Sequence, residues 1–510
     1  MESRFPRVTR SACVALLPIL TGCLFDTSAP NPLTAHALAY RLEAGPGGVC
    51  RISVRIDAWP RGAPKLFQAP VYYADNPVLP VPGLHASDLD IRDARGGKLA
   101  ARDSVSGTPA DGNLILLPEA AHAFSYAIDL APSDPGRFGL PVPGLAPGVD
   151  AIDGAYFFVL PVVEEGVAAR WRAPMRLSLD IMAQGRSLVG SDPHRDLNDP
   201  YELMFLRAAL DPIRTLTVPI RGHQLTLYAT SDTAFDMPLL AEIFANCLGA
   251  VEDSLMPIPT DNYFIGEFPV FSGIEGIQGY WFKADGYQLP QVHTHELIHT
   301  FVGVYHGDLE DPWWKEGLTN YLGLLLPLQV GFINDSIFAA AALADLSDKA
   351  AVRDLPLSSP TIRTRLFIPL DSAWNDPQDP LGFPDLVYGK GAQASMILDR
   401  WILEHSGGRK SVYDLVRVLA RLPSPGFTRS QLVAAAESVA GAPAEAFLTS
   451  LLDRPGAYPA DSLRATYLAL RAMGRFGPGG GKLPVPGIEP PASKLGSRSV
   501  TGTLPLGAKL

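Results

Sequence analysis

Basic residues are in deficit in this 510-residue chain: 42 Lys and Arg stand against 53 Asp and Glu, for a formal net charge of −11. That balance argues against a nucleic-acid partner, which requires a basic face. Charged residues of both signs reach only 19%, while hydrophobic residues make up 47%. Such a composition predicts a globular protein with a sizeable core, long enough for two or three domains. Long apolar runs are missing too. The stretch Ala12 to Leu20 is too short to span a bilayer, and no other segment reads as a transmembrane helix. There is no internal repeat.

Cysteine is scarce, with four in the chain. Cys13 and Cys23 fall in an N-terminal targeting segment, in which Arg4, Arg7 and Arg10 precede the apolar run. Leu20-Thr21-Gly22-Cys23 resembles a bacterial lipobox, which implies that Cys23 is acylated and becomes the first mature residue. An ordinary secretory signal cut nearby is the alternative. Leu24 after Cys23 points to the outer membrane, so the expected place is the bacterial cell envelope, lipid-anchored and facing periplasm or surface. Cys50 and Cys247 then remain, either as a disulfide or as two buried thiols.

His295-Glu296-Leu297-Ile298-His299 is the most informative motif present. On a helix, residues four apart share a face one turn apart. Two imidazoles so placed can bind one Zn²⁺, and the adjacent Glu296 can take a proton from a zinc-bound water. Sixteen residues (300–315) separate His299 from Glu316, which lies in Trp313-Trp314-Lys315-Glu316-Gly317 and begins a second apolar helical run through Leu318, Tyr321, Leu322 and Leu325. Glu316 is the candidate third ligand. His306 is the alternative, although Gly303 and His306 each fall one place late for the metzincin pattern. Val387-Tyr388-Gly389-Lys390-Gly391 starts a further helix, where the Tyr388 phenol can hydrogen-bond an oxyanion. His293 points off the zinc face and is expected at the surface or behind the ligands. Asn320, one turn after Glu316, is a candidate to orient a ligand or a plain surface residue.

These pieces resemble the gluzincin aminopeptidases, whose pattern is H-E-x-x-H, then W-x-x-E-G, then Y-x-K-G. Within that group the chain is most similar to the glycyl aminopeptidase family, metallopeptidase family 61. The segment from Gly391 through Asp399, Gly407 through Ser411, and the run Tyr458 through Leu463 carry the likeness further. The loop between His299 and Glu316 is shorter than is usual there, Phe301 and Val302 stand where the family has Trp-Asn, and its C-terminal PDZ domain is expected to be lacking. The resemblance implies a thermolysin-like zinc peptidase domain, Zn²⁺ held by His295, His299 and Glu316, catalysis by Glu296 and Tyr388, and a peptide substrate with a small first residue. It also implies that Glu275, in Gly273-Ile274-Glu275-Gly276, binds the substrate's free amine. Two rival readings are a zinc endopeptidase, with Glu275 irrelevant, and a catalytically idle binding lipoprotein.

The expected fold is α+β and multidomain. A signal peptide covers 1–22 and a tether 23–35. An N-terminal antiparallel β-domain, read as a sandwich, covers 36–230; alternation in Cys50–Asp57, Met175–Ile181 and Leu225–Tyr228 supports it. The zinc peptidase domain follows over 231–385, with a helix through Leu239, Leu240, Ile243, Phe244 and Leu248, a strand over Asn262–Gly266, and the motif helix starting near Pro290 or Gln291. A helical region covers 386–475, with N-cap signals at Ser411 with Asp414 and Thr428 with Gln431. A Gly/Pro/Ser-rich tail covers 476–510.

Overall fold

The computed structural model describes residues 37–44, 49–59, 65–68, 87–100, 105–106, 113–129, 148–162, 175–197, 200–269, 273–302, 312–359, 385–422 and 427–477. It is a mixed α and β molecule, rich in sheet in its first part and helical in its last. Cys23 lies outside the described residues. No helix among them is long and apolar enough to cross a membrane.

The first sheet has seven strands in the order His194–Leu197, Leu177–Met182, Leu38–Ala44, Val49–Ile56, Ala121–Asp129, Ser87–Asp93 and Lys98–Leu99. Alternation decides which face each residue takes. Leu38, Tyr40, Leu42 and Ala44 point inward and are buried. The expectation of a purely antiparallel arrangement is corrected here. Leu38–Ala44 pairs in parallel with Leu177–Met182, in the register Leu38 to Leu177, Tyr40 to Leu179 and Leu42 to Ile181. That register puts the large apolar side chains of both strands on one face, which offsets the less favourable parallel bonding. A four-stranded and a three-stranded sheet share the same core, with Phe67, Phe124, Tyr126 and Phe158 at its centre. Its buried phenols are satisfied: Tyr40 donates to the Val159 carbonyl at 2.8 Å and Tyr126 to that of Phe157 at 2.8 Å.

A fourth sheet positions the site. Its order is Arg214–Ile220, His223–Ala229, Asn262–Glu267, Gly279–Phe282 and, at the edge, Ile274–Gly276. Leu225–Tyr228, read from sequence with the preceding strands, therefore pairs in parallel with Asn262–Glu267. Both faces of this sheet are buried from Tyr263 to Glu267 and along Gly279–Phe282, whereas the outer strand Arg214–Ile220 is largely exposed. Leu225, Leu227, Tyr263, Ile265, Tyr280 and Phe282 face the helices, while Tyr228, Phe264 and Trp281 face the first core.

Helices follow on that sheet. Met237–Ser254 is capped by Asp236, whose side chain accepts from the Leu239 amide. The motif helix spans Pro290–Ile298, then come Thr319–Gln329 and Gly391–His405. Both expected capping boxes are present, Ser411 with Asp414 and Thr428 with Gln431. Cys50 and Cys247 are free, buried thiols in different cores, so the disulfide alternative falls.

Candidate metal centre

The motif helix begins with proline in its first turn, where a missing N–H costs nothing. Every residue from Val292 to Ile298 is buried. Polar side chains in such a helix are costly unless engaged. His299 is the C-cap and keeps helical backbone angles (φ −57°, ψ −20°), so the i, i+4 geometry runs through it. The His295 and His299 rings lie 4.7 Å apart at 80°, with their Nε2 atoms 3.0 Å apart. His299 Nδ1 lies 3.0 Å from the Val302 carbonyl. Donating Nδ1–H there leaves Nε2 as a lone-pair donor.

Glu316 arrives on a π-helical turn, Trp313–Leu318, that leads into helix Thr319–Gln329. Such wide turns recur at functional sites because they re-aim a side chain without ending the helix. Gly323 on that helix lets it close on the motif helix, since a Cβ there would lie 3.2 Å from His295 Cβ and from the Gln291 carbonyl. Glu316 Oε2 sits 3.4 Å from His295 Nε2 and 3.6 Å from His299 Nε2. Its other oxygen, Oε1, lies 3.2 Å from Lys315 Nζ. Burial works to raise the Glu316 carboxyl. The Lys315 ammonium, then the two imidazoles, outweigh it and hold the group well below the usual carboxylate range.

Among the described residues, His295, His299 and Glu316 are the one cluster of such side chains whose ligand atoms all lie within 4.8 Å of one another. Two His and one Glu make a known catalytic zinc set, which keeps a fourth position for water or substrate. Zinc bonds of roughly 2.0–2.1 Å in a tetrahedron give a donor-to-donor edge of about 3.3 Å. The observed separations of 3.0, 3.4 and 3.6 Å straddle that value, so these residues fit zinc.

Glu296 lies beside the start of the edge strand: a Cβ on Gly273 would fall 2.3 Å from Glu296 Oε1. Glycine lets the backbone pass close to that carboxylate without displacing it. Tyr388 comes from a second π-helical turn, Asp385–Lys390, and its ring stacks on that of His295 at 6.3 Å and 21°. Glu275 has its backbone in the edge strand, paired with Tyr280; its side chain lies outside the described residues, as does His306.

Two readings left open by the sequence are narrowed. His293 is not at the surface but fully buried. Its Nδ1 accepts from the Tyr280 hydroxyl at 2.7 Å and its Nε2–H donates to the Tyr287 carbonyl at 2.8 Å. Burial pushes it down to about 4, so it is neutral. Asn320 touches no ligand; its amide donates to the Tyr388 carbonyl at 3.4 Å. Lys315, Gly273 and Gly323 were not singled out from sequence. Lys315 alone carried a visible signal, a cation inside the otherwise apolar run of Trp313, Trp314 and Leu318.

No protein-family model and no curated protein matches the chain. Solved structures do. A protein of the aminopeptidase N family from Idiomarina loihiensis aligns with a TM-score of 0.59 at 14% identity, covering 84% of this chain and 78% of that one. An M1 zinc metallopeptidase from Deinococcus radiodurans aligns with a TM-score of 0.53 at 16% identity, covering 83% of this chain and 94% of that one. A point mutant of that metallopeptidase, bound to Tyr-Ser-Ala as substrate, aligns with a TM-score of 0.50 at 15% identity over the same shares. At these identities the likeness is one of fold.

Proposed function

We propose that the chain is a zinc-dependent aminopeptidase of the gluzincin type. One observation carries the reading: two Nε2 atoms and one carboxylate oxygen converge at tetrahedral-edge spacing on a buried helix face. In this reading His295, His299 and Glu316 hold Zn²⁺. When bound, the metal supplies Lewis acidity to a water and to the scissile carbonyl. Glu296 takes the proton from the attacking water and hands it to the departing amine. Tyr388 donates its phenolic hydrogen to the carbonyl oxygen as it becomes negative. A peptide laid along the edge strand Ile274–Gly276 gains backbone hydrogen bonds, and Glu275 pairs with its free ammonium.

The fold shared with M1 zinc metallopeptidase structures supports a peptide as the substrate class. The motif likeness to the glycyl aminopeptidase family adds a small first residue. The lipobox-like run adds anchoring through an acylated Cys23 in a bacterial envelope. The segment limits read from sequence, with a thermolysin-like domain over 231–385, belong to this proposal.

Metal analysis with free and N-acetylated dipeptide amides tests it. One zinc per chain is expected, lost in His295→Ala, His299→Ala and Glu316→Ala, with hydrolysis of the free amides alone. Hydrolysis of acetylated peptides would make the protein an endopeptidase. Full zinc with neither substrate cleaved would make it an idle binding lipoprotein. Membrane partition lost in Cys23→Ser tests the anchor.

A further inference from the structure

We infer that Lys315 is a positioning residue that keeps Glu316 a one-oxygen metal ligand; this rests on the zinc reading above. A carboxylate can give a metal one oxygen or two. Two would raise the coordination number and crowd the position a water must take. The geometry at Glu316 separates its oxygens. Oε2 faces both imidazoles, at 3.4 and 3.6 Å, while Oε1 faces the Lys315 ammonium at 3.2 Å.

The arrangement is built. Consecutive residues on a helix do not ordinarily face one another. Here both belong to the wider turn Trp313–Leu318, and the lysine stem folds back onto its neighbour's carboxylate. Lys315 is 4% exposed, and its ammonium stands 5.6 Å from the centre of the Phe205 ring. Burying an ammonium is costly unless it is paired, and one ion pair it makes, at 3.2 Å, is with the oxygen turned away from the imidazoles. Phe205 comes from the stretch that also meets the edge strand, since the Ile277 amide donates to the Phe205 carbonyl at 2.7 Å. Lys315 is thus held from the substrate side as well as from its own turn. It acts in two ways: its ammonium draws Oε1 toward itself by charge, 3.2 Å away, and it adds a positive charge beside the cation site. The second effect weakens metal binding.

The test uses the full-length protein loaded with Co²⁺, whose visible absorption reports coordination number, and zinc loss to a chelator. Wild type should give the intense four-coordinate spectrum. Lys315→Met should lose intensity several-fold as the carboxylate turns both oxygens to the metal, and should release zinc several-fold more slowly because a repelling charge is gone. Lys315→Arg should keep the wild-type spectrum. A merely structural lysine predicts the opposite sign, looser zinc with an unchanged spectrum in the folded fraction, and that result overturns the inference. If Lys315→Met does not fold, Lys315→Arg decides: an altered spectrum there overturns it equally. A wild-type protein that takes up no Co²⁺ would instead remove the zinc reading itself.

Discussion

Gly317 and Gly391 meet backbone to backbone. A Cβ on Gly317 would lie 2.5 Å from the Gly391 Cα and 2.8 Å from the Val387 carbonyl oxygen; one on Gly391 would lie 2.9 Å from the Gly317 Cα. Gly317 follows Glu316, and Gly391 closes the turn that carries Tyr388. The contact locks the two π-helical turns together, and with them the third candidate ligand and the candidate oxyanion donor. It gives a physical reason for a glycine at the end of both the W-x-x-E-G and the Y-x-K-G segments.

A methyl group at either position therefore has nowhere to go, because the neighbouring atoms are main chain. Gly391→Ala should destabilise the protein by about 1–3 kcal/mol, the ordinary cost of overpacking, and lower turnover beyond what stability explains. Urea denaturation and steady-state rates on folded protein measure the two. An unchanged midpoint with an unchanged rate would mean the turns are free to part.

Glu296→Gln keeps the shape of the side chain against Gly273 but cannot accept a proton. Metal content should stay at one per chain while turnover falls by ~10²–10⁴-fold, the usual range for losing a general base. Near-normal turnover in a metal-loaded variant would remove Glu296 from the chemistry.

Tyr388→Phe should leave KM close to normal and lower kcat, the signature of a donor used in the transition state. A lost oxyanion donor costs about 3–4 kcal/mol. Since the ring already stacks on His295, Phe retains that contact and isolates the hydroxyl. An unaffected kcat would leave Tyr388 a packing residue.

Lys390 offers a pH test. It is buried, donates to the Arg454 carbonyl at 2.8 Å and stands 5.6 Å from the Tyr458 ring centre. Burial, then Arg454, pushes its ammonium down to about 8. An unfolded lysine titrates near ~10.4. Between those values the unfolded chain holds a proton the native protein has released, so this group's contribution to stability rises with pH there and is flat below. Lys390→Met should abolish that rise. Urea midpoints of both proteins at pH 7, 8.5 and 10 measure the difference, and parallel curves would refute it.

What was legible in the sequence is what depends on local spacing. The i, i+4 histidines, the start of the motif helix at Pro290 and both capping boxes are local. So is the choice of Glu316, because helical periodicity resumes around it. What was not legible is set by distant partners. The parallel pairing of Leu38 with Leu177 joins residues far apart in the chain, and alternation alone does not say which neighbour a strand takes. Leu225–Tyr228 has the alternation of any half-buried strand, yet its second face is covered at Tyr228 by the first core. His293 could be read as a surface residue or as one behind the ligands, because nothing near it in sequence announces Tyr280 and Tyr287, the groups that satisfy it in the interior. The π-helical turns are not legible either: each spans six residues, too few to establish a period of its own.

The five-stranded sheet is a party wall between two houses. Tyr228, Phe264 and Trp281 are the plaster on the side of the first core, and the helices lean on the other. Cutting the chain ahead of Arg214 to obtain the half with the candidate metal centre alone would expose those three aromatics as one apolar sheet face, beside the edge strand Ile274–Gly276. An uncovered face next to an open strand edge is a template for association with other copies. A minimal fragment carrying the candidate site alone is therefore a poor goal for engineering, whereas substitutions away from the wall keep both of its faces covered.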